Sequence, residues 1–180
     1  RASGQSLARS AFVMIETLYI EQAMATHSRV REISARFPHA NQVMCERYGA
    51  VFNRKSQNFR LQKKSPSLIL ARKFDNHVLA TPEGYGIGGS NNYYFSHMLN
   101  CIYDCRYCFL QGMYRSAHYV LFVNYDDFFS AMDAKLMTHE GEDVWFFSGY
   151  DCDSLALDPL TGFAQHLLSY LETRPHAMVE

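Results

Sequence analysis

Three cysteines in one short run carry the most chemistry in this chain: Cys101, Cys105 and Cys108, within Asn100-Cys101-Ile102-Tyr103-Asp104-Cys105-Arg106-Tyr107-Cys108. The spacing is C-x3-C-x2-C, with an aromatic residue just before the last cysteine. Three thiolates on one loop can hold three irons of a four-iron cluster and leave the last iron without a side-chain ligand. A metal with an open coordination position binds and activates small molecules, whereas a fully ligated one is usually structural. The competing reading is a zinc site with His97 or Cys45 as the remaining ligand. Zinc ligands usually come as two pairs on separate hairpins, and here no second pair exists.

Positioning such a loop requires strands that end next to it. Tyr93 to Met98 reads as a strand feeding the cysteines, and Gly112 lets the chain turn away afterwards. Downstream, Tyr119 to Val123 and Val144 to Phe147 are apolar extended runs. Asp126 to Met137 has helical spacing at Phe128, Phe129, Met132 and Leu136. Asp158 can cap a helix with Pro159 in its first position, and Phe163, Leu167, Leu168 and Leu171 form one apolar stripe. Ala177 begins another strand. This alternation of strand and helix argues for an α/β fold with a parallel sheet and right-handed crossovers. Active sites of α/β barrels lie at strand ends, where the cysteine loop falls.

Upstream, residues 1–10 read as a mobile leader, Thr17 to Glu21 as a strand, and Ser28 as the cap of a helix running to Phe37, where Pro38 stops it. Val43 to Tyr48 and Leu68 to Ala71 read as further extended segments. Residues 81–92 are a glycine-rich loop. It contains G-x-G-x-x-G at Gly84, Gly86 and Gly89, but the aromatic run Tyr93-Tyr94-Phe95 follows where a dinucleotide site needs a helix, so it reads as a crossing loop. The expected organisation is an N-terminal α+β segment over residues 1–80 and a barrel portion over 81–180.

With 48% hydrophobic and 19% charged residues, the chain has enough apolar surface to fold as a globular domain rather than remain disordered. No run approaches the roughly 18 apolar residues that cross a bilayer. Five cysteines, an odd number with three crowded together, argue against a secreted disulfide framework and for thiolates in a reducing cytoplasm. The formal net charge of −1 points to no polyanion partner, but Arg54, Lys55, Arg60, Lys63, Lys64, Arg72 and Lys73 lie in a stretch without an acidic residue. With Phe52 and Phe59 interleaved, that stretch suits either a nucleic-acid surface or an ordinary solvated face. The chain starts at Arg1 and stops inside an apparent strand, which reads as a piece of a longer protein.

The cysteine spacing resembles that of the radical S-adenosylmethionine superfamily. The wider context is similar to the spore photoproduct lyase family: Asn100 before the first cysteine, Leu110-Gln111 after the third, the run from Tyr119 to Asn124, the segment from Asp153 to Thr161, and upstream Arg60 to Ser65. The resemblance implies a partial (βα) TIM-type barrel, a [4Fe-4S] cluster on Cys101, Cys105 and Cys108, and S-adenosylmethionine bound at the open iron. In that family one electron from an external reductant splits the sulfonium bond, and the resulting 5′-deoxyadenosyl radical takes a hydrogen from a thymine–thymine adduct in DNA, which reverts to two thymines without light. The protein's share of such chemistry is to position the cofactor and exclude side reactions. The lesion has to leave the base stack to be reached.

The resemblance also nominates individual residues. Tyr107 would cover the cluster or stack on the cofactor. Cys152, Asp153 and Ser154 are placed by position to meet the cofactor's amino group, with Asp153 and Ser154 able to accept from it. The equally available reading of that segment is a turn leading into a helix. The family's basic contact to the cofactor carboxylate would fall beyond Glu180. Two departures stand out. Phe109 occupies the place of a tyrosine after the third cysteine. Tyr150 occupies the place of the cysteine that returns a hydrogen to the product radical, with Cys152 two residues later. Either Tyr150 or Cys152 is then the donor, or the same cofactor chemistry serves another substrate.

Overall fold

The computed structural model describes residues 15–180 except Gly88 and Asp104; the leader expected over residues 1–10 lies outside them. The first sheet is centred on two apolar segments buried on both faces. Strands β1 (Thr17–Glu21), β2 (Asn41–Cys45), β3 (Leu68–Ala71) and β7 (Tyr119–Phe122) run parallel in the order β2-β1-β3-β7. The short strand β6 (Met98–Leu99) pairs antiparallel with β7 at the edge. Leu68 and Leu70 of β3 and Leu121 of β7 pack with Val30 and Ile33 of helix α1 (Ser28–Ala35), while Ile69, Ala71, Val120 and Phe122 face a second cluster. Central parallel strands covered on both sides read as continuous apolar runs, as these do.

The second sheet has the order β4-β5-β8-β9. β5 (Asn92–Phe95), β8 (Val144–Ser148) and β9 (Ala177–Val179) are parallel, and β4 (Leu79–Ala80) lies antiparallel to β5. Phe95, Val144 and Phe146 pack with Phe128 and Met132 of α5 (Tyr125–Thr138) and with Phe163, Leu167 and Tyr170 of α7 (Phe163–Leu171). Side chains alternate along a strand. Tyr94 and Phe147, register partners in β5 and β8, therefore line the face turned away from those helices.

Several boundaries differ from the sequence reading, each for a local reason. The strand expected over Tyr93 to Met98 is broken at Ser96-His97. Its first part stays in the second sheet as β5, and the remainder crosses to the first as β6. His97 is fully buried in this crossing, stacked on Phe163 with ring centroids 3.7 Å apart, and burial lowers its pKa to about 3. Helix α1 is capped by His27 rather than Ser28: His27 Nδ1 accepts from the Arg29 N–H at 3.2 Å. Tyr48 does not extend β2. It opens the short helix α2 (Tyr48–Phe52) because its N–H donates to the Glu21 carboxylate at 3.1 Å. On α7 the expected Phe163, Leu167 and Leu171 pack on the core together with Tyr170, whereas Leu168, one position farther around the helix, is 64% exposed. Asp158 lies inside α6 (Asp158–Thr161) and reaches forward, accepting from the Ala164 N–H at 2.8 Å. Among the described residues no helix is long and apolar enough to cross a membrane.

A polar clasp joins α5 to the end of α7. Arg174 donates to both carboxylate oxygens of Asp133, and the Tyr170 hydroxyl donates to the same carboxylate at 2.8 Å. These bonds, Arg174 foremost, hold the Asp133 carboxyl below its ordinary pKa. A depressed carboxyl stabilises the fold above its unfolded pKa, and that contribution disappears as pH falls through the folded value. Asp133→Asn is expected to cost about 1 kcal/mol at pH 7, an allowance for partial exposure. The gap to the parent chain should close below about pH 4. Urea unfolding at both pH values checks this.

Candidate active site

The cysteine loop is anchored at its entry by Asn100. This residue adopts φ 65, a left-handed conformation that asparagine tolerates better than most residues. Its Nδ2 donates to the carbonyls of Ser116 and His118 at 2.7 and 2.8 Å, and its N–H donates to the Asp151 carbonyl at 3.1 Å. Cys101 follows, half-buried. The backbone N–H of Tyr103 donates to its Sγ at 3.4 Å, and the Asp153 N–H also points at it. Burial raises the Cys101 pKa, and these two N–H groups partly counter the rise. Cys105 is exposed and Cys108 partly so. A turn with the Cys108 N–H on the Cys105 carbonyl (3.3 Å) sets their spacing, with Tyr107 at φ 65 inside it. The loop leads into α4 (Leu110–Met113), whose Gln111 reaches back to the Tyr103 carbonyl and accepts from Lys63 Nζ at 2.5 Å.

All three thiols are free, and among the described residues no three histidine, cysteine, aspartate or glutamate side chains converge to metal-binding distance. His97 is locked in the core against Phe163, and Cys45 ends β2 as a buried thiol whose pKa burial raises. Neither is gathered with the loop cysteines into a four-ligand zinc site. The loop's own donors, three thiols with two backbone N–H groups aimed at Cys101, suit thiolate ligation of an iron–sulfur cluster.

The segment after β8 is tied to the same strand crossing. The Gly149 N–H donates to the Phe95 carbonyl at 2.9 Å, and the Asp151 N–H donates to Ser96 Oγ at 2.9 Å. The structure separates the residues nominated here. Cys152 is 4% exposed and packs among Met98, Leu157 and Leu160, and burial pushes its thiol up to about 12. Tyr150 is 47% exposed, with its ring centroid 4.8 Å from Tyr94 and 6.2 Å from Phe109. Asp153 accepts from the Leu155 N–H at 2.9 Å, and Ser154 shares a 2.6 Å hydrogen bond with Ser148. Tyr107 is fully exposed.

Tyr150 lines a cleft of about 330 Å³ walled by Pro82, Tyr85 and Ile87 on one side and Tyr94 and Phe147 on the other. The glycine-rich loop supplies the first wall. It connects the adjacent antiparallel strands β4 and β5, with Gly84 and Gly89 at positive φ, and so is a hairpin connection rather than the crossing loop expected, and not a strand-to-helix nucleotide turn. Beside the cleft, Tyr114 donates to Asp151 Oδ1 at 2.8 Å; burial and this carboxylate both push the phenol pKa upward. Tyr94 is raised as well, by burial and then by Asp151. Sequence reasoning did not single out Tyr94, Tyr114 or Asp151. The period-two alternation of β5 separates Tyr94 from Tyr93 and Phe95, but only the packed helices show which face is open.

Neither a family model nor a curated protein sequence matches the chain. Solved structures do. A spore photoproduct lyase complexed with dinucleoside spore photoproduct superposes with a TM-score of 0.76 at 15% identity, over 92% of this chain and 48% of that one. A variant of that enzyme with bound AdoMet and dinucleoside spore photoproduct gives 0.75 at 15% identity, with the same coverage. Another variant gives 0.74 at 16%. The chain thus shares the fold of these structures over most of its own length and spans about half of theirs.

Gly149 is the tightest point of this region. At φ +89, an added Cβ would lie 2.7 Å from both the Cys152 carbonyl oxygen and Ser154 Oγ. Gly149→Ala is expected to destabilise the chain by about 1–3 kcal/mol, the range for a strained backbone position. Denaturant titration beside a surface control such as Ala134→Ser measures it.

Proposed function

We propose that this chain is the cluster-bearing portion of a radical S-adenosylmethionine enzyme acting on a thymine–thymine adduct in DNA. The observation that carries the reading is the juxtaposition of the three-thiol loop with the Tyr150 cleft, both pinned to the crossing at Phe95 to Asn100, on a fold shared with spore photoproduct lyase. Cys101, Cys105 and Cys108 would hold a [4Fe-4S] cluster. When bound, the cluster and S-adenosylmethionine would supply an electron and a hydrogen-abstracting 5′-deoxyadenosyl radical.

The remaining steps belong to the chain's own residues. Asp153, whose N–H points at Cys101, and the following Ser154 are the groups to accept from the cofactor's ammonium. The cleft offers a planar base the rings of Tyr94 and Phe147 to pack against. Tyr150 is the better hydrogen donor of the two residues nominated, since its ring lines the cleft whereas Cys152 is enclosed by apolar side chains. Phe109, 6.2 Å from Tyr150, has no hydroxyl with which to continue a relay. That pairing favours a second reading: the same cofactor chemistry on a different substrate.

The basic stretch supports a nucleic-acid partner in part. Arg54, Lys55, Arg60 and Lys64 are exposed, and α3 (Phe59–Gln62) is fastened to the cysteine region through Gln62 to the Ala117 N–H and Lys63 to Gln111. Phe52, in contrast, is a core residue and offers no ring to a base. A reducing cytoplasm suits this chemistry.

Two outcomes are expected. Anaerobic reconstitution should load iron and sulfide in near-equal amounts and release 5′-deoxyadenosine on reduction with S-adenosylmethionine, with Cys105→Ala abolishing both; restored thymine from a dinucleotide adduct then supports repair, and its absence from an active cluster rejects the repair assignment. Replacing Arg60 and Lys64 together by alanine should flatten the slope of log K against log salt on duplex DNA by about 0.9 for each phosphate no longer neutralised.

A further inference from the structure

The open face of the second sheet carries an ordered row of side chains. Tyr94 of β5 is the register partner of Phe147 in β8. The parallel pairing of β8 with β9 continues one residue past the strand. The Glu180 N–H donates to the Phe146 carbonyl at 3.1 Å, and the Glu180 carbonyl accepts from the Ser148 N–H at 2.7 Å. Glu180 therefore lies opposite Phe147 in the register. Side chains alternate along a strand, and Ala177 and Val179 pack on the core, so Glu180 joins Tyr94 and Phe147 on the other face. These three residues stand on adjacent strands spaced about 4.8 Å apart. All three line the cleft.

Among the described residues that line the cleft, Glu180 alone carries a formal charge. Its side chain is exposed and makes no hydrogen bond or ion pair with any other described residue. The rest of the lining is aromatic, apolar or hydroxyl-bearing, which suits a planar ring with few polar edges. A base lodged on Phe147 has Tyr94 on one side and Glu180 on the other. Thymine presents an imide N3–H between two carbonyl oxygens. An ionised carboxylate accepts hydrogen bonds and donates none, so Glu180 matches that N–H and nothing else on the edge. The same charge repels phosphate, so the base enters the cleft and the sugar–phosphate backbone stays outside it.

We propose that Glu180 is a specificity-determining residue for the base held in the cleft: its carboxylate accepts from a thymine N3–H while Phe147 and Tyr94 pack against the ring. This rests on the thymine-adduct reading above and adds the contact that selects the base. The aromatic walls bind by area and tolerate any base, so the discrimination falls to the one side chain in the row that can read an edge.

The test measures equilibrium binding of two ligands to the reconstituted chain: a dinucleoside thymine adduct and the same adduct methylated at both N3 positions. The parent should bind the unmodified adduct about tenfold or more tightly than the methylated one, the scale of a charge-assisted hydrogen bond. Glu180→Leu should lose that preference by weakening the unmodified adduct while leaving the methylated one unchanged. Glu180→Gln, which keeps a neutral acceptor, should restore part of it. Substrate-free release of 5′-deoxyadenosine should depend on S-adenosylmethionine concentration in both variants as it does in the parent. The proposal is overturned if the parent binds both adducts alike, or if Glu180→Leu keeps the parent's preference. A raised requirement for S-adenosylmethionine in the variants also overturns it, because Glu180 would then belong to the cofactor. If neither adduct binds to the parent chain while 5′-deoxyadenosine is still released, the thymine-adduct reading falls and takes this one with it.

Discussion

The architecture depends on a short crossing, Phe95 to Asn100, where the chain leaves one sheet for the other. Backbone bonds from Gly149 to Phe95 and from Asn100 to Asp151, with the Asp151 N–H on Ser96 Oγ, lace the loop after β8 to this crossing. Buried backbone groups away from water must find partners, so this lacing is an obligation of the fold before it serves any chemistry. It also fixes two loops of different origin side by side. The cysteines leave the crossing on one side and Tyr150 leaves it on the other.

This constraint explains the division of labour between two neighbouring residues. Asp151 is fixed through its backbone at both N–H and carbonyl, so Tyr150 and Cys152 point to different environments. One reaches the cleft; the other enters the apolar layer with Met98 and Leu157. Lys73 shows the same economy. Its neighbour Arg72 stays exposed and pairs with Asp127, while Lys73 turns towards Phe122 and Phe128.

Much of this was legible in the sequence where the signal is local. β1 and β3 fall on the residues expected, because short apolar runs between polar segments have few alternatives. The three cysteines fall on one loop, as their close spacing requires. The break at Ser96-His97 was not legible: no glycine or proline marks it, and it exists only because β6 finds β7 as a partner. Tyr48 turning into a helix depends on Glu21, 27 positions away in sequence. The inward turn of Lys73 depends on Asn124, 51 positions away. Phe52, read among basic residues, looks like surface until Tyr114 and Tyr48 close over it. Long-range partners decide each of these cases, and local pattern carries no trace of them.

The central claim is that three thiols hold a cluster with one iron left open to S-adenosylmethionine. Electron paramagnetic resonance of the reduced, reconstituted chain tests it most directly. A half-integer-spin signal of a reduced four-iron cluster whose g values move when S-adenosylmethionine is added is the predicted result. A cluster signal indifferent to the cofactor, or a chain that takes up zinc and no iron, would contradict it.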